Sequence, residues 1–180
     1  MFALLNRSAL VAASLFLGAC STVSVTTDYD HTAQFAQYKT YALVPSTDKT
    51  RLSPSSQFAL EESLRAGLAA HGISEVSKDP DLHVVSHVST QVQTMFYPVA
   101  GIPYYYGSYG MWAGGPYYGN VSQYTEGTLI LDFVDAKTQK LVFRGTGMDT
   151  ISDPETNAKN VREAVSKMLA NFPKPASIPD

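Results

Sequence analysis

The sequence predicts an α+β fold: a mostly antiparallel sheet of about five or six strands with two helices packed on one face. Three observations predict it. Two segments carry apolar residues at helical spacing between cap signals, and about five or six others carry alternating or β-branched runs. The strands also gather around the helices instead of alternating strictly with them. Hydrophobic residues make up 44% of the 180-residue chain and charged residues 16%, which supplies a core and excludes an extended disordered chain.

The elements follow in order from local chemistry. Val23 to Thr27 (VSVTT) alternates apolar and hydroxyl residues, the period of a half-exposed strand, and Asp28-Tyr29-Asp30 breaks it. Tyr38 to Val44 (YKTYALV) is rich in aromatic and β-branched residues and is closed by Pro45. Ser53-Pro54 is an N-cap with proline in the first turn. Phe58, Leu60, Leu64 and Leu68 keep helical spacing, and His71-Gly72 ends the helix. Ile73 to Val76 reads as a short strand and Asp79-Pro80-Asp81 as a turn.

The longest strand signal comes next. Leu82, Val84, Val88, Val92 and Phe96 fall on one face and His83, His87, Gln91 and Gln93 on the other, which predicts a core side and a water side. Gly127 to Val134 (GTLILDFV) repeats the pattern, with Leu129, Leu131 and Phe133 facing one way. Asp135 to Lys140 has turn composition, and Leu141 to Arg144 begins the partner strand of a hairpin. Asn157 is the expected cap of a final helix whose stripe is Val161, Ala164, Val165, Met168, Leu169 and Phe172, stopped by Pro173.

The first nineteen residues read as a secretion signal: Arg7 supplies the charge, and Ala9 to Leu17 (ALVAASLFL) an apolar run. That run is shorter than the roughly 20 residues that span a bilayer. Leu17-Gly18-Ala19-Cys20 resembles the lipobox of bacterial lipoproteins. The resemblance implies cleavage before Cys20, diacylglycerol on its sulfur and acylation of the new amine. Residues 20–180 would then form one periplasmic domain. As the only cysteine, Cys20 can close no internal disulfide. By the same resemblance Ser21, in place of the aspartate that retains such proteins in the inner membrane, points to the outer membrane.

Between Tyr97 and Tyr124 lies a Tyr/Gly-rich segment read as a long loop, holding eight of the eleven tyrosines. No Asp, Glu, Lys or Arg occurs from Leu82 through Thr125. Glycine and proline oppose regular structure there, while tyrosine offers a flat apolar body with a hydroxyl, suited to protein interfaces, glycan faces and lipid headgroups. Its candidate contact residues are Tyr97, Tyr104, Tyr105, Tyr106, Tyr109, Trp112, Tyr117 and Tyr118. The bland alternative is a loop that only covers the protein's own surface.

Catalytic and metal chemistry find no support. On a strand His83 and His87 stand about 13 Å apart, too far to share one metal, and His31 and His71 lie elsewhere with no acidic or cysteine cluster at ligand spacing. Neither a metal nor another cofactor is expected. Gly145-Thr146-Gly147 is too short to cradle a phosphate and predicts a bulge in a strand. Asp132, Asp135, Asp149 and Asp153 fall on a strand or in turns, and no G-x-S-x-G elbow occurs. The net charge of −3 gives no electrostatic reason to expect nucleic acid or anionic lipid as partner.

Several blocks together resemble the lipoproteins of the domain of unknown function 4136 family. They are Val25-Thr26-Thr27-Asp28-Tyr29-Asp30, Phe35, Tyr38-Lys39-Thr40-Tyr41-Ala42, Asp79-Pro80-Asp81-Leu82, the Tyr/Gly segment followed by Gly127-Thr128-Leu129, and Met168-Leu169 with Phe172-Pro173. The resemblance implies an address and a domain type, and no active site. Three functions are therefore weighed. The first is a non-catalytic binding or structural module of the envelope, partnered by the membrane through its lipid and by an envelope protein, glycan or lipid through the tyrosines. The second is a carrier of an apolar ligand between sheet and helices. The third, an enzyme, would need polar residues such as His31, His83, Asp132 and Asp149 to converge, and is not expected.

Overall fold

The computed structural model describes residues 23–46, 48–99 and 118–173, with the side chains of 96–99 and 118–120 outside the description. The described strands are β1 (Ser24–Tyr29), β2 (Thr40–Val44), β3 (Ser74–Glu75), β4 (Leu82–Val99), β5 (Tyr118–Asp135) and β6 (Leu141–Thr150). They form one sheet in the order β1-β6-β5-β4-β2-β3. Helices α1 (Pro54–Ala70) and α2 (Pro154–Ala170) cover it, and one 3-10 turn (Phe35–Gln37) precedes β2.

The α+β class is as expected, but the sheet is mixed. Across the sheet from β1 to β4 all pairings are antiparallel, whereas β2 pairs parallel with both β4 and β3. The reason is α1, which carries the chain from the end of β2 back to its starting end, so the next strand must run the same way.

The core lies between sheet and helices. Tyr41, Leu82, Val84, Leu131, Phe133 and Phe143 meet Leu60, Leu64 and Leu68 of α1 and Val165, Met168 and Leu169 of α2. Gly145 and Gly147 produce no bulge; they let α2 close on β6. A Cβ at Gly145 would stand 2.7 Å from Met168 Cγ, and one at Gly147 would stand 3.0 Å from the Ala164 Cβ. The register shift occurs instead at Phe133/Val134.

Both helices begin alike. Ser53 caps α1 by accepting the Ser56 amide at 3.3 Å, ahead of Pro54. For α2 the cap is Asp153, not Asn157: its Oδ1 accepts the amides of Glu155 and Thr156, each at 3.0 Å, ahead of Pro154. Asn157 turns back on the preceding loop, accepting the Ser152 amide at 2.8 Å and donating to the Ser152 carbonyl at 2.9 Å. The proline makes the difference, since its fixed φ and missing N–H suit the first helical position.

Two strands are longer than their hydrophobic pattern. β5 starts at Tyr118 rather than Gly127, and β4 continues to Val99. The Tyr/Gly segment read as a loop over 97–124 is therefore strand at both ends, and Tyr97 and Tyr118 sit in ladder positions opposite Asn120 and Val99. Val92 continues the alternation of Leu82, Val84 and Val88 but does not reach the core, since it is 61% exposed.

Candidate functional site

Past the row Gln91/Glu126 the two long strands pair, among the described residues, with no other strand, the Ile151 amide reaching across to the Thr125 carbonyl at 2.8 Å. β6 ends at Thr150 opposite Glu126, and β2 leaves β4 at Val85. Val92 to Val99 against Tyr118 to Thr125 thus forms a two-stranded ribbon, about 27 Å long at the strand rise. Among the described residues no further strand pairs with either of its edges. Val92 is 61% and Val121 60% exposed, and Met95 is also exposed. Natural edges are usually blunted with charge, and this ribbon carries none.

Of the sequence-predicted site residues, Cys20, Tyr104, Tyr105, Tyr106, Tyr109, Trp112 and Tyr117 lie outside the described residues. Tyr97 and Tyr118 are placed by backbone alone, on the ribbon. The segment 100–117 therefore joins the ribbon's two far ends by chain connectivity.

The start of β1 lies at the pole from which the ribbon projects. Ser24 pairs with Met148, Met148 with Thr128 and Thr128 with Ser89, so one row crosses the sheet just below the ribbon. β1 then runs away from that pole. Val23 consequently lies at the pole of the ribbon's base, although some seventy residues separate them in sequence.

At the same pole, where the helix N-termini leave the sheet uncovered, lies a cleft of about 280 Å³. Val23, Leu52, Val88, Leu129, Val161 and Ala164 give it apolar walls, and Thr50, Thr90 and Asn157 a polar rim. Its size is near the lower end for ligand pockets.

On the opposite face of the sheet the fold assembles a polar cluster that no local sequence pattern announces. Asp132 on β5 accepts from Arg144 Nε at 2.6 Å and Nη2 at 2.5 Å, across directly paired positions of β5 and β6. This carboxylate holds the Arg144 guanidinium above its ordinary pKa. Asp48 accepts from His87 Nδ1 at 3.0 Å and from the Val88 amide at 3.3 Å. The Ser46 hydroxyl, then the Val88 amide and His87, hold the Asp48 carboxyl below its usual range. His87 Nε2 stands 3.8 Å from Asp132. The acceptors are committed to structure: Asp132 clamps two strands, and Asp48 ties the loop after β2 to the edge of β4. A signal existed only in pairing, since Asp132 and Arg144 become neighbours once the β5–β6 register is known.

The four residues named for an enzyme take separate places. His31 packs at a tilt against Tyr29 with ring centroids 4.4 Å apart, His83 lies on β4 opposite Val134, Asp132 faces Arg144 and Asp149 lines the cleft. Among the described residues no group of three His, Cys, Asp or Glu side chains is placed to hold a metal ion.

Over residues 25–174 the chain matches the family described as a domain of unknown function, DUF4136. The chain belongs to that family. No curated protein matches it in sequence. Among solved structures it is similar to a PDZ domain protein from Parabacteroides distasonis, with a TM-score of 0.54 at 13% identity, covering 85% of this chain and 35% of that one. The chain thus spans about a third of that protein's length, and the likeness is one of fold. Two others are similar at lower scores. The PelC dodecamer from Paraburkholderia phytofirmans has a TM-score of 0.44 at 12% identity, covering 82% and 95% of the two chains. A minor lipoprotein from Acinetobacter baumannii has 0.36 at 10%, covering 75% and 89%.

Proposed function

We propose that this member of the family is a lipid-anchored envelope module without catalytic activity. Cys20 holds it by lipid on the outer membrane, facing the periplasm, and the β4–β5 ribbon with the tyrosine-rich segment between its strands contacts an envelope partner. The observation that carries this reading is the ribbon itself. A pair of strands reaching about 27 Å beyond the sheet, with no third strand on either edge among the described residues and no charged residue, is the kind of surface to which other molecules bind. The structural commitments of Asp48, Asp132 and Arg144 support the non-catalytic part.

The register supplies a clean test. Pro98 and Gly119 face one another across the ribbon, so replacing 98–119 by an Asn-Gly turn closes the hairpin at Tyr97 and Asn120. The shortened protein should stay folded and membrane-bound but lose the envelope components captured by crosslinkers at Tyr105 or Trp112 in the full chain. If the same components are still captured from positions elsewhere on the shortened protein, the reading is overturned. The mass of Cys20 in protein extracted from membranes tests the anchor separately.

A second reading, carriage of an apolar ligand, is favoured by the apolar walls of the cleft at the helix N-termini. Protein purified without detergent should then carry bound mass in native mass spectrometry, and an empty domain would count against it.

A further inference from the structure

We infer that the ribbon's partner is the headgroup region of the bilayer that holds the chain's own N-terminus. The inference rests on the anchored reading above and names its partner.

Only Ser21 and Thr22 separate Cys20 from Val23, which limits the reach between them to about 10 Å. Val23 lines the cleft at the ribbon's base, together with Thr90 and Gly127. The row Ser24, Met148, Thr128, Ser89 fixes the N-terminus to that pole. A lipid on Cys20 therefore holds this pole against the membrane. A ribbon projecting about 27 Å from the same pole is longer than the tether, which brings it within reach of the bilayer surface.

Its composition suits that surface. Charged side chains stop at the ribbon's base, with Glu126 and Asp149, and none occurs from Leu82 through Thr125, so no ionised group has to leave water. Val92 and Val121 stand exposed on one face of the ribbon, and half-buried Tyr124, a residue type that favours the interface, lies on the other face near its base. Pairing sets the depth: among the described residues no third strand covers either edge, and a two-stranded ribbon cannot satisfy all its backbone groups in hydrocarbon, so it lies among headgroups and does not span.

The test couples the chain from Cys20 onward, through that single thiol, to maleimide-bearing lipid in phosphatidylethanolamine/phosphatidylglycerol vesicles, which supplies the tether whether or not cells lipidate Cys20. Hydrogen exchange is then compared with the free protein. Amides of 90–99 and 118–125 should exchange several-fold more slowly on vesicles, with α1 unchanged. Val92→Asp and Val121→Asp should abolish that difference while leaving core exchange intact. Equal ribbon exchange on and off vesicles overturns the inference. So does protection that appears equally on lipid-free beads at the same protein density, which would assign the edges to a second copy. Failure of natural lipidation is read independently, from the Cys20 mass in cells.

Discussion

Phe172 joins the layers of this domain through a single ring. Its centroid lies 5.3 Å from Phe35, 5.3 Å from Phe133, 5.0 Å from Phe143 and 5.4 Å from His71. Phe172→Ala should therefore cost about 3–5 kcal/mol, as buried aromatic truncations do, read as a lower urea midpoint. That Phe172 is core was legible, because it continues the stripe of α2, although the helix ends at Ala170 and Phe172 packs from beyond it. Asp81 was legible only as a turn residue. Its Oδ2 accepts the amides of Lys39 and Thr40 at 2.9 and 3.0 Å and the Thr40 hydroxyl at 3.0 Å, an attachment to β2 that no local pattern announces. The Lys39 amide, then the Thr40 hydroxyl and amide, hold this carboxyl below the ordinary carboxylate range. The Thr156 hydroxyl and amide lower that of Asp153 to about 2. Both contributions are complete above the ordinary carboxylate pKa and disappear as the pH falls through the native values, because the unfolded chain then binds the extra protons. Stability should thus decline from about pH 4 downward, and Asp81→Asn should flatten that decline in urea titrations at successive pH values.

Packing between elements turns on small residues. At Gly145 a methyl would stand 2.7 Å from Met168 Cγ and 3.0 Å from its Cβ, the latter an atom that moves only if α2 moves. At Gly127 it would stand 3.1 Å from Ile151 Cγ1, part of an exposed side chain free to turn aside. Gly145→Ala should cost about 1–3 kcal/mol as overpacking and Gly127→Ala distinctly less, compared by thermal unfolding. Both helices and the hairpin after Asp135 were readable from periodicity and turn composition. The parallel pairing of β2 was not, because direction comes from the crossover and not from any residue. Nor was the extent of β4 and β5: Gly119, Pro98 and the tyrosines carry loop composition, yet the ladder between the two strands continues through Pro98 and Gly119 to Val99 and Tyr118. Where burial no longer shapes the pattern, as at Val92 and Val121, alternation stops reporting the core.

At the scale of the whole molecule, the sheet register turns two separate sequence features into one pole. The short tether before Val23 and the uncharged ribbon lie far apart in the chain, and only the ladder from β1 across β6 and β5 to β4 brings them together. If the tether is what presses the ribbon on the bilayer, its length is a control that leaves every side chain untouched. A two-residue link keeps the pole within about 10 Å of the anchor. Inserting about 30 Gly/Ser residues after Thr22 gives a link with a typical span of about 30 Å, enough for the body to stand off and for the ribbon's effective concentration at the surface to fall. Coupled to vesicles through Cys20, the long-tether protein should therefore show ribbon amides exchanging close to the rate of the free protein, while the short-tether protein stays protected and both keep the same core exchange. Equal protection with either tether would mean that the shared pole plays no part in holding the ribbon to the membrane.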